Sequence, residues 1–414
     1  MYSFPIDAIR GVSIMKIVIL GIVLFAFIVE IVLSCVRYRS LNEPFSHDMS
    51  NIYDKDTFFK SKAYHKDNLR VQFVTKIVFY FMVLLILSFD LVFRINNLLS
   101  QSFDDTVWVD VFTTVIVGLP LFALEATKRI FYSLVIDNRY GFIKSTTKAL
   151  LVDLSIKAVI GSISLVALIL SISSKHYFGI ILTLVMIFVV VIIYRKVVFK
   201  LKPLEESSLK EKIIAYASNH QFRLKNIYLL NASKRSARVN AYFQGAGRRR
   251  KIVLYDTLID KLSEGEILAV FAHETGHAKH KDGIKSIPLN FVVYSLFVTV
   301  ILSIHLSADV AHAFRFAEPN IVLTAVVFYS MFFLVLYITG LSMNHFSRHV
   351  EYRADNFAVN TTSKTDMINA LKRISILNLI NLNPNPVDVF MTYSHPPIIH
   401  RIEAINRIAI DNID

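Results

Sequence analysis

The sequence predicts a mainly α-helical membrane protein with several membrane spans and a smaller water-exposed part that includes a short β element. Hydrophobic residues make up 54% of the 414 residues and charged residues only 19%, whereas soluble proteins carry about 25% charge. Seven separate stretches offer the roughly 20 apolar residues that a helix needs to cross a bilayer. This composition excludes a disordered chain. The single cysteine, Cys35, excludes a disulfide scaffold and a cysteine-bound structural zinc.

Two of the seven stretches are interrupted by acidic residues. Asp90 lies in the second stretch and Asp110 in the third, and Pro120 lies late in the third. Neighbouring helices can satisfy the backbone groups that such a proline leaves free, so we keep both stretches as spans. The predicted spans are Ile17–Val36, Ile77–Phe93, Val107–Leu124, Leu151–Ile172, Tyr177–Tyr194, Ile287–Leu306 and Ile321–Met343.

The charge is basic and unevenly distributed between the loops. The net charge of +13 would suggest nucleic-acid binding in a soluble protein. In a membrane protein, basic residues instead gather on cytoplasmic loops that face anionic lipid. The first, third and fifth loops are rich in Lys and Arg, and the alternate loops are nearly bare. We therefore predict a bilayer partner, no nucleic-acid partner, an external or luminal N-terminus and a cytosolic C-terminus. The spans do not indicate an oligomeric state.

The predicted spans divide the chain into four regions. Two of them, one between spans five and six and one after span seven, are long enough to fold in water. The regions are 1–195 with five spans, 196–285 as a cytosolic loop, 286–345 with spans six and seven, and 346–414 as a cytosolic C-terminal region.

The loop of residues 196–285 contains both helical and strand patterns. Ser263 is followed by acids in what would be the first turn of a helix, which is typical of a helix start. The extended run before residue 246 ends in a glycine-rich basic turn. The predicted elements are helices over Leu204–His220 and Ile267–His280, strands over Asn226–Asn231 and Lys251–Tyr255, and an extended segment over Val239–Gly245.

The last of these helices carries an H-E-x-x-H motif, His273-Glu274-Thr275-Gly276-His277. Residues four apart lie on one face of a helix, so both imidazoles can reach one zinc ion. Glu274 then faces the activated water and can accept its proton. The motif therefore predicts a zinc-dependent hydrolase site.

A catalytic zinc needs a third protein ligand and an open position. In the metzincin pattern a third histidine follows the motif, but Gly283 occupies that position here. Glu351 and Asp355 follow span seven directly, and the hairpin of spans six and seven returns them to the side of the H-E-x-x-H helix. One acid can bind zinc while the other orients a histidine. The spacing alone does not decide between them or exclude solvated acids at a helix start.

Together these stretches resemble the integral-membrane zinc CAAX prenyl proteases. The similarity covers nearly the whole chain, and its motifs are jointly specific. The matching stretches are Asp56–Lys62, Lys234–Ser236, Asn240–Phe243, Ile252–Leu258, the H-E-x-x-H helix, Glu351–Asp355 and Ser394–Pro397.

The resemblance implies a fold and a set of site residues. Seven helices would enclose an intramembrane chamber, beside a cytosolic zincin-like metalloprotease region with a short β element. One Zn²⁺ per chain would be held at the cytosolic end of the chamber. The implied roles are metal binding for His273, His277 and Glu351, general base for Glu274, support of the ligands for Asp355 and Arg401, oxyanion or substrate binding for His395, and substrate binding as an added strand for Asn240, Ala241, Tyr242 and Phe243.

The implied reaction is zinc-dependent removal of the last three residues from isoprenylated CAAX proteins. The implied location is the endoplasmic reticulum membrane or the inner nuclear membrane. Two alternatives are a membrane quality-control zinc protease that degrades misfolded or stalled proteins, and a channel or scaffold with a vestigial metal site. Five predicted spans precede the zinc helix, which favours the prenyl protease over quality-control relatives with fewer spans. The complete set of three ligands and a base argues against the scaffold.

Overall fold

The computed structural model describes residues 6–143, 146–173, 201–244 and 250–408, with scattered positions between 183 and 192. It is mainly helical, with one small sheet, as predicted. The helices are α1 Ile6–Ser40, α2 His47–Ser50, α3 Lys55–Ser88, α4 Leu91–Leu99, α5 Thr106–Phe131, α6 Thr147–Ser173, α7 Ser208–Asn219, α8 Asp256–Ile259, α9 Glu264–Lys279, α10 Asp282–Lys285, α11 Ile287–His305, α12 Ala308–Ala313, α13 Ile321–Thr361, α14 Lys364–Asn378, α15 Pro386–Thr392 and α16 Ile398–Arg407. The strands are β1 Leu201–Pro203, β2 Asn226–Leu230, β3 Ala241–Gln244 and β4 Lys251–Tyr255.

Five helices within the described residues are long and apolar enough to cross a membrane. They coincide with predicted spans one, two, three, six and seven. Helix α6 covers the predicted fourth span, and most of the predicted fifth span, Tyr177–Tyr194, lies outside the described residues. The five helices are Ile14–Ser40, Lys55–Ser88, Thr106–Asp137, Asp282–His305 and Ile321–Thr361.

The predicted end of the second span is wrong. The helix starts at Lys55 and ends at Ser88, so it does not continue to Phe93. Asp90 adopts a left-handed conformation with φ of 51°, and a separate helix follows it. Its buried carboxylate accepts hydrogen bonds from Lys16 at 2.5 Å and from Arg315 at 2.8 Å. This paired acid forms the turn, where the hydropathy pattern alone suggested a continuous span.

The seventh span belongs to a much longer helix than predicted. Helix α13 has 41 residues and a length of about 60 Å at 1.5 Å per residue. It is continuous past Met343, where the predicted span ended, and reaches Thr361. Its second half carries Glu351 and Asp355, so one helix joins the membrane to the candidate site.

The sheet has the strand order β1-β2-β4-β3. Strand β4 pairs in parallel with β2 and antiparallel with β3, in a register that places Val253 beside both Tyr228 and Tyr242. The strands predicted over Asn226–Asn231 and Lys251–Tyr255 are therefore confirmed to within one residue. Strand β3 lies at an edge of the sheet, which leaves one side of the β3 backbone without a partner strand among the described residues.

Helix α9 begins where the sequence predicted a helix start. The Ser263 hydroxyl accepts from the backbone N–H of Glu266 at 3.2 Å, and the Glu266 carboxylate accepts from the N–H of Ser263 at 2.7 Å. This reciprocal capping satisfies two N–H groups that a helix start leaves unpaired. The inner face of α9, including Ile267 and Phe271, packs in the same core as strand residues Ile227 and Ile252. The sheet and this core thus fix α9 in place.

Candidate metal centre and active site

The two histidines of the H-E-x-x-H motif point from α9 toward one acid on α13. His273 and His277 lie one helical turn apart, and their Nε2 atoms are 3.2 Å from each other. The Glu351 carboxylate lies 3.5 Å from His273 Nε2 through Oε2 and 3.3 Å from His277 Nε2 through Oε1. The structure therefore brings together the three predicted ligands.

The geometry of this cluster fits a metal ion. One potential ligand atom from each of the three residues lies within 4.8 Å of the others. Zn–N and Zn–O bonds of about 2.0–2.2 Å in a tetrahedron place neighbouring ligand atoms about 3.4 Å apart, close to the observed separations. Glu351 Oε2 is buried without a hydrogen bond, and the nearest cationic atom is Arg401 Nη1, at 3.3 Å. Two imidazoles and one carboxylate are also a common donor set of catalytic zinc.

Asp355 lies behind the first histidine and is itself held by an arginine. Its Oδ1 is 2.8 Å from His273 Nδ1. Arg401 donates two hydrogen bonds to this carboxylate, at 2.7 and 2.6 Å, and all three side chains are buried. Burial opposes the charged imidazole, but the Asp355 carboxylate outweighs it and raises the pKa of His273 to about 9. The contact between Nδ1 and Asp355 holds the ring so that Nε2 faces Glu351.

The second histidine has an equivalent partner that the sequence analysis missed. Asp282, the first residue of α10, lies with Oδ2 3.0 Å from His277 Nδ1. Asp282 is buried, and Arg353 forms an ion pair with its other oxygen. The chain reaches this position because Lys281 adopts a left-handed conformation with φ of 57°. The sequence does show an acid five residues after the motif. It does not show the turn at Lys281 that directs this acid back toward His277.

A glycine inside the motif sets the distance between the two helices. A Cβ at Gly276 would lie 3.1 Å from Ala354 Cα and 3.2 Å from Phe357 Cβ on α13. No side chain therefore fits at position 276 without moving α13. A glycine in the middle of a predicted helix can indicate such a close approach, so the sequence holds a signal for this contact.

The general base predicted for the reaction faces a cavity beside the metal ligands. The cavity has a volume of about 870 Å³, and both Glu274 and His273 line it. Burial raises the pKa of Glu274, although His273 and His277 oppose that effect. A buried carboxylate with a raised pKa holds a proton more readily, which suits a residue that must accept one.

His395 also lines this cavity and lies beside Glu351. Its Nε2 is 3.3 Å from Glu351 Oε1, and its side chain is largely exposed. Arg348 of α13 donates to the carbonyls of Val389 and Tyr393, at 2.9 and 2.7 Å. These bonds tie the segment before His395 to the helix that carries Glu351. Arg348 is a further residue that the sequence analysis did not single out.

The four residues predicted to bind substrate fall into two groups. Asn240 and Ala241 line the cavity. Tyr242 lies against Tyr255, and Phe243 packs against Phe222 and Phe271 of the core. The first pair can therefore contact a ligand in the cavity, while the second pair holds the strand in place.

The sequence is similar to those of known peptidases. The sequence model of peptidase family M48 matches residues 203–409, which include all the residues of the candidate centre. The chain is 31% identical over 299 residues to the CAAX prenyl protease 1 homolog of Arabidopsis thaliana, covering 67% of this chain and 68% of the relative. The chain belongs to peptidase family M48.

The similarity to M48 proteins extends through the membrane region. A second family model, the N-terminal region of CAAX prenyl proteases with five membrane helices, matches residues 34–199. The CAAX prenyl protease 1 homolog of Oryza sativa subsp. japonica is 29% identical over 419 residues, which cover 94% of this chain and 96% of the relative. The crystal structure of S. mikatae Ste24p superposes with a TM-score of 0.80 at 24% identity, covering 94% of this chain and 99% of that chain. This M48 member is thus a multi-pass membrane metalloprotease with a Ste24p-like fold.

Proposed function

We propose that the protein is a zinc metalloendopeptidase that removes the last three residues from isoprenylated CAAX proteins. The observation that carries the proposal is the convergence of His273, His277 and Glu351 beside Glu274 in one large cavity. Similarity to proteins named CAAX prenyl protease 1 over most of the chain supports the substrate class.

In this proposal His273, His277 and Glu351 hold one zinc ion, and Glu274 is the general base. Zinc at this position would supply Lewis-acid activation of the attacking water and of the scissile carbonyl. Glu274 accepts the proton of the water and delivers it to the leaving amine. Asp355, fixed by Arg401, orients His273 so that its Nε2 lone pair faces the centre.

The substrate would bind along the edge of the sheet. The free side of β3 can add an extended peptide as a further strand, starting at Asn240 and Ala241 in the cavity and continuing past Tyr242 and Phe243. His395, which lines the same cavity beside Glu351, would hydrogen-bond the carbonyl oxygen on which negative charge develops. The peptide bond after the prenylated cysteine would then lie between Glu274 and His395.

We further propose seven membrane helices that enclose an intramembrane chamber, with the metal centre at its cytosolic end. The basic loops support this orientation. The regions 1–195, 196–285, 286–345 and 346–414 would alternate between membrane and cytosol, in the endoplasmic reticulum or inner nuclear membrane. The prenyl group would remain at the level of the lipid while the peptide reaches the metal.

Neither alternative function receives comparable support. The scaffold hypothesis is disfavoured by membership of a peptidase family. The quality-control hypothesis has no specific observation in its favour, because the relatives compared above carry the name CAAX prenyl protease 1.

The proposal can be tested with the detergent-purified protein and a farnesylated C-terminal CAAX peptide. Mass spectrometry should detect the released tripeptide, and a zinc chelator should abolish it. Glu274→Gln should keep its zinc and lose turnover, whereas Glu403→Gln, an exposed acid on α16, should retain both. Cleavage by Glu274→Gln at the parent rate would refute the mechanism. Cleavage of unprenylated or misfolded substrates alone would refute the substrate class.

A further inference from the structure

A basic cleft lies at the C-terminal end of α9, outside the cavity that holds the metal ligands. It has a volume of about 610 Å³ and is open to solvent. Three chain segments form it: the turn after α7, the residue before β4 and the end of α9. Its cationic side chains are those of Arg223, Arg250, Lys279 and Lys281.

Among the described residues, no acidic side chain neutralises these four cations. None of the described residues that line the cleft is acidic, and no carboxylate among them forms an ion pair with any of the four. Asp282, next to Lys281 in sequence, is already engaged by His277 and Arg353. Uncompensated positive charge in a concave site focuses the electrostatic potential and attracts anions.

Two of the cations are held in place by the fold. The Arg250 guanidinium lies 5.4 Å from the centre of the Phe222 ring and donates to the carbonyl of Ala278 at 3.2 Å. The Lys279 ammonium lies 5.0 Å from the centre of the Phe357 ring. Cation–π contacts of this kind position a charge without removing it. Arg250 thus donates to a carbonyl at the end of α9, whereas among the described residues Arg223, Lys279 and Lys281 donate no side-chain hydrogen bond.

The size and position of the cleft indicate its ligand. Arg and Lys are the usual partners of phosphate groups, but about 610 Å³ is in the range of small-molecule sites, roughly 300–1,000 Å³, and larger than one phosphate needs. Lys281 lies six residues before Ile287, where the apolar helix α11 begins. Lys281 directly precedes the candidate span Asp282–His305, so one edge of the cleft would lie close to the lipid headgroups of a bilayer that this span crosses.

We propose that this cleft binds the phosphorylated inositol headgroup of an anionic phospholipid at the membrane surface. A headgroup bound by Arg223, Lys279 and Lys281 would link the end of α9 to the bilayer. Since α9 carries His273 and His277, the lipid would fix the metal-binding helix against the membrane. This site does not depend on the substrate that the metal centre cleaves.

The test uses the full-length, zinc-loaded protein in neutral detergent and native mass spectrometry. Dioctanoyl phosphatidylinositol 4-phosphate should bind, and dioctanoyl phosphatidylcholine should not. Arg223→Gln combined with Lys281→Gln should weaken binding by roughly thirtyfold, because each basic residue near anionic lipid contributes about five- to sixfold. Lys60→Gln combined with Lys261→Gln, two exposed lysines outside the cleft, removes the same charge and should leave binding unchanged. Thermal unfolding of both variants checks that each is folded.

Three results would overturn the proposal. Equal loss of binding in the cleft variant and the control variant would show a general charge effect. Unchanged binding in the folded cleft variant would show that the lipid binds elsewhere. Binding of inositol 1,4-bisphosphate or inorganic phosphate as tight as that of the lipid would identify a soluble phosphate as the ligand. Peptide cleavage is a separate measurement, so failure of the lipid site would not be confused with failure of the proposed enzyme.

Discussion

Replacing Gly276 with alanine tests whether the metal centre depends on the close approach of α9 and α13. The new Cβ would lie 3.1 to 3.3 Å from atoms of Ala354 and Phe357, whereas carbon contacts are most favourable at about 3.5–4.0 Å. The two helices must therefore separate by a few tenths of an ångström. Ala354 lies between Glu351 and Asp355 on α13, so both acids would move away from the histidines.

The size of this displacement leads us to expect a loss of metal affinity rather than of fold. Metal–ligand distances tolerate only about 0.2 Å, and disturbed support of a ligand typically lowers affinity by 10–100-fold. Overpacking costs about 1–3 kcal/mol, but the better helix propensity of alanine returns about 1 kcal/mol. The free energy of unfolding of the metal-free protein should therefore fall by no more than about 2 kcal/mol.

Competition with a chelator of known affinity measures the zinc dissociation constant of Gly276→Ala. The matched control is Gly283→Ala in α10, where a Cβ would meet nothing within 4 Å. The control should bind zinc as the parent does, and Gly276→Ala should bind at least tenfold more weakly. Equal zinc affinity in the two variants would refute the claim that this contact sets the position of Glu351.

Three further predictions concern residues around the centre. Asp282→Asn should weaken zinc binding by about 10–100-fold, measured by the same competition, because His277 loses the carboxylate that orients it; an unchanged affinity would contradict this role. Arg348→Met should lower kcat by about 10–100-fold with normal zinc content, because His395 is no longer held in register; loss of zinc instead would point to a general structural defect. Burial favours protonation of Asp256, but hydrogen bonds from Ser233 and nearby backbone N–H groups outweigh it and lower the pKa of Asp256. Its stabilisation is therefore present above the ordinary Asp pKa of about 3.9 and is lost as pH falls through the depressed value. Asp256→Asn should thus cost about 1–3 kcal/mol at pH 7 in thermal unfolding, and a difference that persists unchanged in acid would contradict this account.

Local patterns predicted the parts of the site that lie within single helices. The spacing of His273 and His277 fixes their common face, and the acids after Ser263 mark the start of α9. Glu351 could be proposed as a ligand because spans six and seven form a hairpin that returns to the same side. Sequence spacing did not decide which of Glu351 and Asp355 is the candidate ligand. In the structure Glu351 contacts the Nε2 atoms of both histidines, whereas Asp355 contacts Nδ1 of His273.

Contacts that depend on backbone turns and helix crossings could not be predicted in the same way. Asp282 reaches His277 only because Lys281 adopts a left-handed conformation. A lysine does not favour this conformation, so the sequence does not predict the turn. The second span ends at Ser88 because Asp90 pairs with Lys16 and Arg315, residues that are distant in sequence. Hydropathy counts apolar residues along the chain and contains no information on such long-range partners.

The continuity of α13 connects a candidate membrane span to a proposed metal ligand. Asn320 caps its start by accepting from the N–H groups of Val322 and Leu323, and the helix then continues without a break to Thr361. Gly340, its single glycine, lies inside the helix without ending it. The apolar first part of α13 and the part with Glu351 therefore share one helical register. A change of that register would move Glu351 relative to His273 and His277, and the close approach of α13 to Gly276 leaves little room for it.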